Sequence, residues 1–255
     1  MPAKNSTTRF SSRVDDYIKY RPHYPVGIID LLADQCGLTP ESVIADIGSG
    51  TGILTRPFLD NGNPVVGVEP NREMREAAEQ QLAGYARFTS VDGTSEATRL
   101  PARSMDFILA GQAFHWFDQS KSRAEFQRIL AEGGWVVLVW NDRRTDSTAF
   151  LRDYEALLQE FGTDYNEINH KNVQDKAVFT AFFGAPPLEA TFDNVQRFDF
   201  NGLIGRLHSS SYVPGRDDPR YAAMARRAQE IFAAHQKNGM VALEYDTRVY
   251  YGAMT

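Results

Sequence analysis

The stretch Asp46-Ile47-Gly48-Ser49-Gly50-Thr51-Gly52 has the residue types and spacing best suited to chemistry in this chain. Three glycines let a backbone turn sharply and let a ligand come close to it. The dinucleotide fingerprint G-x-G-x-x-G would place its third glycine at position 53, where Ile53 stands; here it arrives early, at Gly52. Asp46, just ahead of the glycines, suits a ligand that carries an ammonium group and would be a poor neighbour for a pyrophosphate. Glu69, at the end of the next apolar run, can accept from both hydroxyls of a ribose. Dinucleotide enzymes share that feature, so it points to a nucleoside without saying which. Asp92-Gly93 offers a carboxylate that could accept from an adenine amino group, although Asp-Gly is also a common turn.

A second set of residues suits an acceptor molecule. His115 could be a general base, an orienting donor, or a side chain bonded only to backbone. Trp116 and Phe117 read as packing, or as an aromatic face for a cation. Tyr17, Tyr20, Arg21, His23 and Tyr24 could form a lid in which Arg21 holds a carboxylate, with Tyr17 expected in the core. Arg143, Arg206, His208 and Tyr212 come later, and any of them could read the substrate. The histidines at 23, 115, 170, 208 and 235 show no paired ligand spacing, so no metal site is expected. Pro186-Pro187 is followed by Leu188, not by the aromatic that a nucleobase-methylating signature needs.

Those residues need a frame. Residues 43–47, 65–69, 87–91, 105–110 and 135–140 are short apolar runs that read as buried parallel strands. Helical patterns alternate with them, over 54–59, after a cap at Asn71, and through Phe126, Ile129 and Leu130 to Gly133-Gly134. Pro57 should delay or kink the helix that follows the glycines. Upstream, Phe10, Val14 and Tyr17 have helical spacing, with Ser11 or Ser12 as possible caps. Residues 21–25 cannot be helical throughout because of their prolines, and a helix over 26–36 ends at Gly37. Past Asn141 the sequence predicts a helix over 150–161, a loop over 162–176 and a strand over 188–200 whose alternation slips at Asn194. A helix opened by Asp218-Pro219 and a strand over 241–251 complete the chain.

The βαβ rhythm predicts an α/β fold: a Rossmann-like, doubly wound sheet of seven strands, mostly parallel, with one antiparallel strand near the C-terminus and a helical cap. One domain is expected over 1–255, with a cofactor-binding core at 28–141. Cap insertions fall at 142–187 and 201–240, between closing strands at 188–200 and 241–251. Ligands of such sheets sit beyond the carboxyl ends of the strands, where the strand order reverses.

Composition narrows the function. A net charge of −6 disfavours a nucleic-acid partner. No apolar run approaches the roughly 20 residues that span a bilayer, and residues 1–16 lack the apolar segment of a secretory signal. The one cysteine, Cys36, allows no intrachain disulfide. It reads as an inert thiol, and the whole suits a reducing cytoplasm.

Taken in order, VIADIGSGTG, VVGVEPN, VDGTSEATRLP and FQRILAEGGWVVLVWN resemble the class I S-adenosylmethionine-dependent methyltransferases over residues 43–141. FSSRVDDYIKYRPHYP, GQAFHWFD and YDTRVYYG resemble the type 11 small-molecule branch, which includes the trans-aconitate methyltransferase relatives. The resemblance implies S-adenosylmethionine as cofactor and S-adenosylhomocysteine as product. It places Gly48, Ser49, Gly50, Thr51 and Gly52 against the cofactor with Asp46 nearby, and Glu69 on the ribose. Pro70 and Met74 would flank the adenine, and Asp92, Gly93 and Thr94 would meet its edge. Gln112 and Ala113 would face the methionine part. The acceptor would be a small molecule, a carboxylate or a hydroxyl, methylated by direct displacement with His115 as the catalytic candidate. Tyr20, Arg21, Trp116, Arg143, His208 and Tyr212 would line its site. The competing readings are an NAD-dependent oxidoreductase and a cofactor-binding protein without turnover. Oligomeric state and the acceptor's identity are not legible.

Overall fold

In the computed structural model, residues 14–163, 165 and 176–254 are described. Their core is a sheet of five parallel strands, β1 (Ile44–Ile47), β2 (Val65–Val68), β3 (Phe88–Val91), β4 (Met105–Gly111) and β5 (Leu130–Arg143), extended by β6 (Leu188–Phe198) and β7 (Val241–Gly252). The order is β3-β2-β1-β4-β5-β7-β6, with β7 antiparallel to both of its neighbours. The order reverses between β1 and β4, so a crevice must open beyond their carboxyl ends.

Helices cover both faces. On one face, α2 (Gly27–Cys36) and α3 (Thr55–Asp60) bring Ile28, Leu32 and Phe58 onto β1, β2 and β4. Opposite, α5 (Gln119–Ile129) and α7 (Lys176–Phe183) bring Phe126, Phe179 and Phe182 against Phe114 and Trp140. The segment expected as cap at 142–187 therefore divides: α7 belongs to the sheet's core, while α6 (Ala149–Phe161) leaves it. With α8 (Phe200–His208) and α9 (Tyr221–His235), α6 buries a separate cluster around Tyr154, Leu203, Met224 and Tyr245. Strands β5 and β7 stay paired beyond the end of β4, through Arg143 and Tyr245, and this extension carries the cluster over the crevice.

Local detail departs from the sequence reading at three places. The helix through Phe126 ends at Ile129, and Leu130 already begins β5, opposite Met105. No slip occurs at Asn194, because β6 runs in unbroken register with β7. Asp218 caps a turn by accepting from the Arg220 N–H, and α9 starts later, at Tyr221. Pro57 does delay its helix, which begins at Thr55 and so places proline in the first turn, where no N–H is missed. Phe10, Ser11, Ser12, His170 and most of the expected 162–176 loop lie outside the described residues. Among the described residues, no helix is long and apolar enough to cross a membrane. Cys36 is half-buried, and burial pushes its thiol up to about 11, in keeping with an inert side chain.

Candidate functional site

The glycine loop is shaped by contacts that a side chain would break. Gly48, Gly50 and Gly52 have φ of 70°, 56° and 84°, a region L-residues rarely adopt. A Cβ on Gly48 would lie 2.7 Å from that of Ala113, and one on Gly52 would lie 2.7 Å from Leu82 Cδ1. Gly52 therefore holds the loop against α4 (Arg72–Gln81) and does not itself border the crevice. Glu69 secures the other side: Oε2 accepts from the Gly50 N–H at 2.9 Å and Oε1 from the Asn71 N–H at 2.8 Å. Asn71 in turn caps α4 through the Met74 N–H. Burial raises the Glu69 pKa, opposed by those two amides.

Two chambers open beyond the strands and meet at Tyr17, Gly48, Gly50, Gly111, Gln112 and Trp116. The first, about 200 Å³, is bordered by Glu69, Pro70, Met74, Thr94, Ser95 and Glu96, with Ala113. Its furniture suits a nucleoside: a carboxylate with lone pairs left for hydroxyls, flanked by apolar surface. The second, about 270 Å³, runs from Asp46, Ser49 and Thr51 towards the helical cluster.

At the inner end of the second chamber, three buried oxygens have no hydrogen-bond partner among the described residues: Asp46 Oδ1, Thr51 Oγ1 and Gln112 Oε1. Asp46 is almost inaccessible and its other oxygen accepts from Thr55 at 2.7 Å. Burial drives its pKa up to about 7; the Thr55 hydroxyl opposes that and the Glu69 charge adds to it. Gln112 holds φ at 54°, pinned by its N–H to Val139 O and its Nε2 to Asn141 O. A non-glycine residue in that conformation is strained, a trait common at binding sites. Orphaned acceptors around a buried carboxylate match the ammonium of an amino-acid moiety. S-adenosylmethionine presents such a group beside a nucleoside, so the residues present fit it.

The outer part of the second chamber is built by the N-terminal segment. Asn194 Nδ2 donates to His23 O at 2.7 Å and Gln196 Nε2 to Tyr20 O at 3.2 Å, so amides of β6 hold carbonyls that the Pro22 and Pro25 region cannot pair internally. Arg21 Nη2 donates to Ser209 O at 2.7 Å. This strap sets Tyr17, Arg21 and Tyr24 into the chamber. Tyr17, expected in the core, instead borders both chambers, with the Arg21 guanidinium 4.9 Å from its ring centre.

Three arginines face this space, and their partners differ. Arg143 is paired with Glu155 and also donates to the Tyr165 hydroxyl at 3.0 Å. Arg206, only 5% exposed, donates to the hydroxyls of Tyr245, Ser209 and Ser210. Among the described residues, Arg21 hydrogen-bonds only the Ser209 carbonyl, and its Nε, shut from solvent, has no hydrogen-bond partner. Burial, and after it the charge of Arg206, lowers the Arg21 pKa. The Tyr212 phenol is reached by all three guanidiniums; burial raises its pKa, but Arg206, Arg21 and Arg143 together draw it below 10.

Most expected site residues converge. Asp46, Gly48, Ser49, Gly50, Thr51, Glu69, Pro70, Met74, Thr94, Gln112 and Ala113 border one chamber or the other, as do His115, Trp116, Arg21, Arg143 and Tyr212. Others do not. Asp92 is turned to solvent, 3.5 Å from Arg75 and 4.0 Å from Arg99. Gly93 is needed for packing, since a Cβ there would strike Thr98 O at 2.9 Å. The Tyr20 ring lies against Gly205, and His208 accepts from Arg216 inside the helical cluster. Ser95, Glu96, Glu155 and Tyr245 were not expected. Arg206 was named only among several, yet one signal marks it: a charge among Leu203, Ile204 and Leu207 on the apolar side of a helix.

Comparison with known proteins agrees with this geometry. A family model for a methyltransferase domain matches residues 45–138. A methyltransferase-like protein of Schizosaccharomyces pombe is 31% identical over 159 residues, 61% of this chain and 59% of its own length. An uncharacterised methyltransferase of Geobacillus sp. is 30% identical over 148 residues, 54% of this chain and 67% of its own. The chain thus spans little more than half of the first relative and two thirds of the second. A solved structure from Anaeromyxobacter dehalogenans, assigned as a type II methyltransferase, superposes with a TM-score of 0.73 at 22% identity, covering 92% of this chain and 98% of its own. That likeness concerns the fold.

Proposed function

Since the chain belongs to the class I S-adenosylmethionine-dependent methyltransferases, we propose that it moves a methyl group from S-adenosylmethionine to a small molecule bound in its second chamber. One observation carries this reading: a nucleoside-shaped chamber and a cation-lined chamber meet at Gly48, Gly111 and Trp116. When bound, S-adenosylmethionine supplies a methyl carbon on a positively charged sulfur that departs as a neutral thioether, so no acid is needed to help it leave.

The protein's share is alignment. Glu69 takes the ribose hydroxyls, Pro70 and Met74 flank the base, and Asp46 with Gln112 takes the ammonium. Trp116 sits where the chambers join and its ring face favours positive charge. The acceptor is a carboxylate or a hydroxyl. For a hydroxyl, His115, or Tyr212 once ionised to its phenolate, is placed on the same chamber to take the proton; a carboxylate needs no base. Incubation with methyl-labelled S-adenosylmethionine and a panel of small acids and alcohols tests this. The reading expects label in a small-molecule product and release of S-adenosylhomocysteine. Label confined to protein or nucleic acid would refute it.

A further inference from the structure

The three arginines of the second chamber are not equivalent, and the difference identifies what the acceptor must carry. Arg143 is already neutralised by Glu155. Arg21 and Arg206 have no carboxylate within ion-pair distance among the described residues; their partners are carbonyl and hydroxyl oxygens. Both guanidiniums donate to Ser209, Arg21 to its carbonyl and Arg206 to its hydroxyl, and two positive charges held so near without a counterion are costly in a folded protein. Hydroxyls and carbonyls solvate such charges but do not cancel them. The unspent buried donor, Arg21 Nε, belongs to a planar guanidinium, and the fork geometry of such groups matches a carboxylate.

We infer that the methyl acceptor carries a carboxylate held jointly by Arg21 and Arg206, and that this carboxylate is a handle distinct from the atom that takes the methyl group. A carboxylate whose lone pairs are engaged by two guanidiniums is a weakened nucleophile. The reacting atom is therefore another group of the same molecule, presented at Gly111 and Trp116, where the chambers join. Arg206 is a specificity-determining residue on this account, whereas Arg143 serves to fix Glu155 and Tyr165.

The inference rests on the reading of the second chamber as the acceptor site, and the test keeps the two apart. Protein saturated with S-adenosylhomocysteine is titrated calorimetrically with glutarate, with its monomethyl ester and with inorganic phosphate. Binding of both glutarate and the monoester, weakened tenfold or more by R206Q and by R21Q but not by R72Q on the exposed side of α4, is expected. R206K should restore part of the affinity. In each variant, retained S-adenosylhomocysteine binding shows that the fold and cofactor site survive. Glutarate affinity unchanged in R21Q and R206Q, or binding of phosphate alone, overturns the carboxylate handle. Loss of S-adenosylhomocysteine binding by the parent protein would instead overturn the methyltransferase reading itself.

Discussion

Asp46 illustrates how much chemistry one buried residue can carry. Its acid is held near 7, well above the 3.8 of an exposed aspartic acid. The folded protein therefore keeps a proton that the unfolded chain gives up. That contribution to stability is complete below about pH 4 and is lost as pH rises through 7. Asp46→Asn escapes the loss, so ligand-free Asp46→Asn should melt above the parent at pH 8, with a difference that narrows towards pH 4. The same residue should make cofactor binding pH-dependent, because an ammonium prefers the carboxylate. Affinity for S-adenosylhomocysteine should fall by up to about tenfold per unit below pH 7 in the parent. It should be weaker and nearly flat in the variant. Calorimetry from pH 5 to 8 checks both, and parallel curves for the two proteins would count against an ammonium at Asp46. The type and place of Asp46, Glu69 and the glycines were legible in sequence, since spacing after a strand fixes them. Glu155 and Tyr245 were not, and Arg206 was named only among several, because they reach the site from elements far apart in the chain, and single-sequence periodicity says nothing of which distant faces meet.

The elements divide the work between a short parallel half and a long antiparallel half. The four-residue strands β1 and β2 end at the crevice, and their brevity puts Asp46 and Glu69 at its edge. Strands β5, β6 and β7 run on past it and carry the helical cluster, so the second chamber is built on rigid elements and not on loops alone. Apolar runs and caps made these strands readable. The positions of α7 and of the strap were hidden because aromatic helical spacing looks alike in a core or in a cap. Helix α1 (Val14–Tyr20) depends on one glycine: a Cβ at Gly205 would fall 2.1 Å from the Tyr20 ring. Gly205→Ala should therefore shift α1 and carry Tyr17 and Arg21 away from the chamber. Overpacking of this kind costs about 1–3 kcal/mol, and a tenfold or greater loss in acceptor binding should accompany it. Titration of glutarate into the S-adenosylhomocysteine complex measures the effect, and unchanged affinity would show that α1 does not set the chamber. Gly52→Ala tests the other half. Its positive φ alone disfavours alanine by roughly 1–2 kcal/mol, and Leu82 stands in the way. Weaker S-adenosylhomocysteine binding is expected, with glutarate left to bind once cofactor is saturating.

At the scale of the whole molecule, an acidic chain of net charge −6 concentrates unpaired positive charge in one interior chamber. Such a field draws small anions inward while the surface repels polyanions. The account stands or falls on which nucleotide-like ligand the first chamber accepts. The most direct measurement is thermal stability with S-adenosylhomocysteine and with NAD, each added separately. At a hundred times its Kd, a ligand bound only by the folded state adds about 2.7 kcal/mol, which for a domain of this size is a shift of roughly 5–10 °C. The account predicts that shift with S-adenosylhomocysteine and none with NAD. A shift with NAD alone would contradict it, and would mean that the early third glycine and the orphaned oxygen of Asp46 had been misread.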